Sequence, residues 1–237
     1  MQYAEVAKTI DHALLTPTLS DRGFDAGVEV ARRYEVASVC VLPCLVRRAA
    51  ERLSGSSVRT STVIGFPHGV VPTSVKRFEA ERALEAGAVE LDMVVNSSWV
   101  QSEQLRAVQD DIGSVLAACR QADAKLKVIF ENCYLNEAQK LALCRVCAEL
   151  EVDWIKTSTG FGSGGATLGD VQLMRANSPA RVAVKASGGI RDLDTLLGFL
   201  PYVTRVGTSN TRGILDELRQ RLGLPALLGE DTVVGSY

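Results

Sequence analysis

Eight short apolar runs, each followed by a stretch of helical periodicity, predict a closed (β/α)8 barrel, the TIM-barrel architecture, preceded by a short N-terminal helix. Alternation of this kind means parallel strands covered by helices on the outside, because strands buried on both faces read as unbroken apolar runs. The length of 237 residues fits the same class, since such barrels often run about 200 to 250 residues as one domain. An open doubly wound sheet would carry a GxGxxG turn after its first strand, and none is present. No linker or low-complexity tract interrupts the chain. Residues 1–237 therefore read as a single domain, with a flexible tail at 229–237 (GEDTVVGSY).

After the N-terminal helix, residues 9–15 (TIDHALL) are the first strand, closed by Pro17. Residues 20–34 have helical spacing and open on a capping serine, Ser20. The second strand, 37–42 (ASVCVL), ends at Pro43, and helix follows through Leu53. The third is 59–66 (RTSTVIGF). Thr73 is expected to cap a helix that carries Val75, Phe78, Ala83 and Ala86 on one face and stops at Gly87. The fourth strand, 89–95 (VELDMVV), contains Asp92, and a helix over about 102–122 repeats Leu105, Val108, Ile112, Val115 and Cys119 at helical spacing. The fifth strand is 126–132 (LKVIFEN). Asn136 with Gln139 forms a capping box for a helix to Leu150. The sixth strand is 153–158, and Thr167 with Asp170 starts the next helix. The seventh strand is 182–187, followed by a helix over 192–200. The eighth is 205–208 (RVGT), and a last helix spans about 211–222.

The formal net charge of −2 and pI of about 5.8 exclude a general affinity for nucleic acid or an anionic membrane, so any phosphate recognition is local. The N-terminus lacks a signal-peptide core, and no run of about 18 apolar residues exists, which reads as a cytoplasmic protein. The six cysteines fit reduced thiols, because a core of this size needs no covalent staples. Cys144 and Cys147 form a CxxC on a helical stretch with no second pair nearby, so they read as a buried helix face. Cys40 and Cys44 read as packing or near-site thiols. The two histidines, His12 and His68, have no ligand spacing, so neither a catalytic metal nor Ser/His/Asp chemistry is supported. His12 is expected to be a hydrogen-bonded structural residue beside Asp11, and His68 to lie in a loop. The glycine-rich FGSGGAT at 161–167 lacks the GK[ST] ending of a nucleotide loop.

The chemistry centres on residues 154–161 (WIKTSTGF) and their echo at 182–190 (VAVKASGGI). A lysine inside a strand-like apolar run is unusual, because an ammonium leaves water only at a cost unless it is paired or gives up its proton. If Lys156 and Lys185 meet in one pocket, each cation makes protonating the other harder. Two unit charges ~5 Å apart at an effective dielectric of ~20 repel by ~3 kcal/mol, roughly two pKa units. That turns one lysine into a nucleophile that needs no metal and no organic cofactor. Taken singly, each lysine could equally leave a strand end for water or pair with a carboxylate. Strand ends on one barrel face also bring up Asp11, Asp92 and Glu131. Asp92 suits a proton relay or a salt bridge inside the barrel, while Asp11 and Glu131 read first as structural. Gly160, Gly188, Gly189 and Gly207 follow the strands, and backbone N–H groups beyond strands seven and eight are the usual phosphate site of this architecture. A phosphorylated small molecule is thus the expected partner. A sugar-phosphate isomerase and a non-catalytic binding barrel also fit these features.

The motifs IDHALLTPT, VCVLP, VIGFPHG, VELDMVVN, KVIFEN, DWIKTSTGF, GGAT, VKASGGI and RVGTS, in this order from Ile10 to Ser209, resemble the deoxyribose-phosphate aldolase family of class I aldolases. The resemblance implies a Schiff base on Lys156, with Lys185 beside it lowering its pKa and Asp92 working with the second lysine in proton transfer. The family's substrate and phosphate loops fall on Thr159, Gly160, Gly188, Gly189, Gly207 and Ser209. In some relatives a C-terminal tyrosine reaches over the site to assist proton transfer, and Tyr237 ends this chain likewise. The chain departs from common family patterns at Thr16, at Asn132 and at Asn210 with Thr211. Apolar patches on the outer helices of such a barrel lead us to expect a homodimer.

Overall fold

The computed structural model describes residues 2–227. Its eight strands are β1 (Ile10–Leu14), β2 (Ser38–Val41), β3 (Arg59–Ile64), β4 (Glu90–Val94), β5 (Lys125–Ile129), β6 (Trp154–Lys156), β7 (Ala183–Ser187) and β8 (Arg205–Thr208). They pair in parallel in chain order, and β8 returns to β1 to close the barrel. Outside lie α1 (Tyr3–Ala7), α2 (Asp21–Arg33), α3 (Val46–Leu53), α4 (Thr73–Glu85), α5 (Ser97–Gln101), α6 (Leu105–Gln121), α7 (Glu137–Leu150), α8 (Leu168–Ala176), α9 (Leu193–Phe199) and α10 (Thr211–Arg221). Among the described residues no helix is long and apolar enough to cross a membrane.

Period-two alternation divides each strand between two environments. Leu91 and Met93 of β4, Ile155 of β6, Val184 and Ala186 of β7 and Val206 of β8 join the main apolar core with the helices. The residues between them are the charged ones: Glu90, Asp92, Lys156, Lys185 and Arg205. The barrel is thus apolar in its outer layer and ionic along its axis.

Helix starts follow the capping chemistry read from the sequence. Ser20 accepts from the Gly23 N–H at 3.1 Å and Thr167 from that of Asp170 at 3.1 Å, while Asn136 and Gln139 exchange reciprocal bonds of 2.9 Å. Each such cap stabilises its helix by about 1 kcal/mol. Gly87 ends α4 at φ +103°, as expected of a helix stop. All strands but β8 are shorter than the apolar runs that announce them, because the runs extend past the residues that pair.

Three local readings need correction. Pro72, not Thr73, precedes α4, and Val75 and Phe78 are exposed, at 39% and 60%. Ala83 and Ala86 do face the core as expected, but Lys76 and Ala80 take the inward places of Val75 and Phe78. Lys76 is fully buried, donating to the Val94 carbonyl at 2.8 Å and to Asp111 of α6 at 2.5 Å, while the Thr73 hydroxyl donates to the other Asp111 oxygen at 2.8 Å. A periodicity count scores a lysine as outward-facing and so turns this helix the wrong way. The stretch before α6 holds a separate helix, α5, capped by Asn96. Short 3-10 turns at Pro43–Leu45 and Asn132–Tyr134 replace expected helix and strand residues. The tail at 229–237 lies outside the described residues.

Candidate active site

Register brings the two lysines together. Lys156 of β6 pairs directly with Lys185 of β7, so both side chains enter the barrel at one level. Both donate to the same oxygen of Asp92, each at 2.8 Å, which limits the two nitrogens to at most twice that separation. The other Asp92 oxygen accepts from Lys127 at 2.7 Å. Lys185 also donates to Asp11 at 2.6 Å. Below them, Lys127 reaches Glu90 at 2.7 Å, and Arg205 pairs with both Glu90 and Asp11. The Trp154 ring borders this layer, its centre 5.1 Å from the Arg205 guanidinium.

All seven of these charged residues are at most 6% exposed, so water screens them little. Burial pulls Lys156 down and the neighbouring Lys185 cation adds to it; together they outweigh Asp92, and the amine sits below its ordinary pKa. Repulsion between the two cations thus accounts for the smaller part of that shift. Burial acts on Lys185 too, but Asp11 and Asp92 outweigh it and hold its pKa above the ordinary value. Asp92 lies well below the usual carboxylate range: burial opposes this, and Lys127, Lys156 and Lys185 prevail. Two lysines with the same unperturbed basicity therefore diverge, because one has a single shared carboxylate oxygen and the other has two carboxylates.

Above the amines opens a cavity of about 250 Å³, lined by Lys156, Lys185, Asp11, Cys40 and the loops after β6, β7 and β8. Thr159, Gly160, Gly188, Gly189, Gly207 and Ser209 all line it. Two of these glycines are required sterically. A Cβ on Gly207 would collide with the Ser187 hydroxyl and press within 3.3 Å of the Lys185 side chain. Gly188, at φ +90°, packs its backbone against Gly165, where any side chain would meet the Gly188 carbonyl. The β6 loop is held from below by Glu131, itself left-handed at φ 56°, whose carboxylate accepts from both the hydroxyl and the N–H of Thr159.

The chain matches the family described as DeoC/LacD family aldolase over residues 6–199. The chain belongs to that aldolase family. It is 51% identical to a deoxyribose-phosphate aldolase of Rhodopirellula baltica over 99% of this chain and 97% of that one. It also resembles the solved aldolase QR15 at 39% identity and a TM-score of 0.87, covering 93% of this chain and 99% of that one. The tetrameric deoxyribose phosphate aldolase of Aeropyrum pernix superposes with a TM-score of 0.82 at 29% identity, covering 91% of this chain and 92% of that one.

In this aldolase the sequence-predicted residues Lys156, Lys185 and Asp92 meet, the two lysines lining the cavity and Asp92 buried beneath them, and Tyr237 lies outside the described residues. Asp11 is more than the structural carboxylate expected, since it lines the cavity and grips Lys185. Sequence reading misses Glu90, Lys127 and Arg205 under the floor, and Arg191 at the cavity wall beside the glycine loops. Each departure from family patterns makes a local contact, the Thr16 hydroxyl lying 3.2 Å from that of Thr18. The Asn210 amide donates to the Arg191 carbonyl at 2.7 Å, and the Thr211 hydroxyl bonds His12 Nδ1 at 2.8 Å. Asn132 is buried, and its amide donates to the Met174 sulfur. Cys144 and Cys147 are buried on α7 as expected, and Cys40 sits at the cavity with its thiol pushed up by burial.

His12 supplies a prediction. Burial lowers its pKa to about 4, so the folded protein holds it neutral where the unfolded chain, near 6.5, takes up a proton. The associated stability is complete above the unfolded value and is lost as pH falls through this window, by up to about 3 kcal/mol. Urea unfolding at the two ends of the window should show that loss, and His12→Asn should flatten it. The carboxylates of the barrel, held below the ordinary range in the fold, begin to lose their contribution as pH approaches their unfolded values of about 4, so they enter at the acid end of this window and dominate below it. An unchanged slope in His12→Asn would remove His12 from the acid response.

Proposed function

We propose that this aldolase reversibly cleaves 2-deoxy-D-ribose 5-phosphate to D-glyceraldehyde 3-phosphate and acetaldehyde through a Schiff base on Lys156. The observation that carries this reading is one buried amine, under-supplied with carboxylates, at the floor of a cavity whose rim is glycine backbone. The Lys156 amine adds to the C1 aldehyde and loses water to give an iminium. Asp92 and Lys185 move the protons that this loss requires. The C2–C3 bond then breaks, and its electron pair passes to the iminium to give an enamine. The C3 hydroxyl gives up its proton in that step, and C3 becomes the aldehyde carbon of glyceraldehyde 3-phosphate. Protonation of the enamine at C2 and hydrolysis release acetaldehyde and restore the amine. Thr159, Gly160, Gly188, Gly189, Gly207 and Ser209 bind the sugar phosphate, with Arg191 as the nearby cation. Tyr237 is the further proton carrier that the family pattern offers.

The same reading places residues 1–237 in one catalytic domain in the cytoplasm, supported by six free cysteines, and pairs the chain as a homodimer. Support for pairing comes from Phe78 and Val75, both exposed on α4. Light scattering in solution should return twice the chain mass of 25.5 kDa; a monomer would overturn the dimer. The reaction itself is tested by borohydride trapping with 2-deoxyribose 5-phosphate followed by peptide mass mapping. A reduced adduct on Lys156 is expected. Folded protein that binds the sugar phosphate without forming one would overturn the Schiff-base mechanism.

A further inference from the structure

The ionic layer on the barrel axis has an odd number of charges. Among the described residues it holds four basic groups, Lys127, Lys156, Lys185 and Arg205, and three acidic ones, Asp11, Glu90 and Asp92. Fully ionised, it would carry one uncompensated positive charge among side chains at most 6% exposed, where isolated charge is costly. The layer becomes neutral by losing one proton. Arg205 does not give one up, because a guanidinium keeps its proton in proteins. Lys127 faces Asp92 and Glu90, each at 2.7 Å, with Asp11 at 3.8 Å. Lys185 faces Asp11 and Asp92. Lys156 has one oxygen of Asp92, shared with Lys185, and opens onto the cavity.

We propose that Arg205 is a positioning residue for this aldolase: by occupying Asp11 and Glu90 with a permanent cation, it leaves Lys156 as the amine without a charge to balance. This rests on the Schiff-base reading of Lys156 and deepens it, because it assigns the free amine to the charge count of the whole layer as well as to its neighbour. Arg205 does not line the cavity and acts from below, through the carboxylates. Its guanidinium is buried against the Trp154 ring and held by Asp11 of β1 and Glu90 of β4.

The other described titratable groups near the layer do not alter the count. Lys8, between α1 and β1, feels the Arg205 charge but donates to the Val36 carbonyl and the Ser57 hydroxyl outside the layer. From β2 comes the Cys40 thiol, which burial keeps protonated. From β3 comes Arg59, which reaches Glu90 at 3.1 Å with its side chain 56% exposed, so water carries most of its charge. His12 of β1 faces Thr211 at the start of α10. Glu131, after β5, is committed to Thr159 above the layer.

Parity predicts opposite effects for two substitutions of neighbouring groups. Arg205→Met removes the odd cation and lets Lys156 keep its proton, while Asp11 retains Lys185 and Glu90 retains Lys127. Glu90→Gln adds one further uncompensated positive charge and makes Lys156 easier to deprotonate. The double variant Arg205→Met with Glu90→Gln restores the original imbalance. Purely structural damage would not change sign with the charge removed, and a second lesion would not correct the first.

The test is the pH dependence of adduct formation on Lys156, with acetaldehyde and cyanoborohydride as the probe and peptide mapping as the readout. Relative to the unsubstituted protein, the midpoint should rise by at least about one pH unit in Arg205→Met, a tenfold loss of trapping rate on the acidic side. It should fall in Glu90→Gln and return close to the starting value in the double variant. Midpoints that stay put, or move the same way in both single variants, overturn the inference. If circular dichroism shows Arg205→Met to be unfolded, Glu90→Gln decides: a lower midpoint supports the proposal, and an unchanged or higher one overturns it. Absence of any Lys156 adduct in the unsubstituted protein would overturn the Schiff-base reading and this inference with it. A normal adduct with immobile midpoints overturns the inference alone.

Discussion

Lys156→Ala should lower kcat by about 10⁴-fold or more while leaving the barrel intact. Loss of activity follows from the covalent route: alanine has no amine with which to form the iminium, and removing an enzyme's nucleophile commonly costs on this order. Retention of the fold is the more discriminating half of the expectation. Removing one partner of a buried ion pair usually destabilises by about 3–5 kcal/mol, because the other charge is left without compensation. Here Asp92 keeps Lys127 on one oxygen and Lys185 on the other. The remaining layer holds as many anions as cations, so the deletion leaves no stranded charge. Steady-state kinetics and thermal unfolding on one preparation check both halves. Appreciable aldol cleavage by the alanine protein would remove Lys156 from the chemistry, and gross unfolding would mean that its amine is charged in the resting protein.

Lys185→Leu should cost about 100-fold in kcat/KM at neutral pH, with much of the loss recovered at higher pH. Repulsion of up to about 3 kcal/mol between the two ammonium groups corresponds to up to about two pKa units. Without the Lys185 cation the pKa of Lys156 rises by that part, while burial continues to hold it below that of an ordinary lysine. The sign of the pH effect separates this cause from a loss of proton relay, which raising the pH would not repair. This variant should also be less stable than Lys156→Ala, because Asp11 loses its 2.6 Å partner and retains Arg205 and the Ser38 hydroxyl. A pH–rate profile is the deciding measurement. A full rate at neutral pH would refute the coupling of the two amines.

Much of this site is legible in the sequence because its members violate the pattern around them. Lys156, Lys185 and Asp92 stand out in apolar runs, whereas Glu90 goes unnoticed although it lies two residues before Asp92 and shares its strand face by periodicity alone. Lys127 carries the same signature in LKVIFEN, and an even application of the rule selects it. It escapes notice because no glycine follows it, yet glycines mark the rim of the site and not the layer beneath. Arg205 begins its strand and reads as an exposed end; only barrel closure places it against β1. The wrong face of α4 has the same origin, since Lys76 is paired by Asp111 35 residues later, a partner that local periodicity does not see. The eight-unit architecture is legible because each unit repeats one simple alternation. Which charges meet inside depends on register between distant strands.

Closure of the barrel through β8 and β1 has a consequence for the chain during its synthesis. Arg205 and Asp11, separated by almost the whole chain, come together only when that last seam forms. In the unfolded chain Lys156 is solvated, and all but about one in a few thousand of its amines are protonated at pH 7. Rapid labelling of Lys156 by an aldehyde at neutral pH therefore reports the folded barrel.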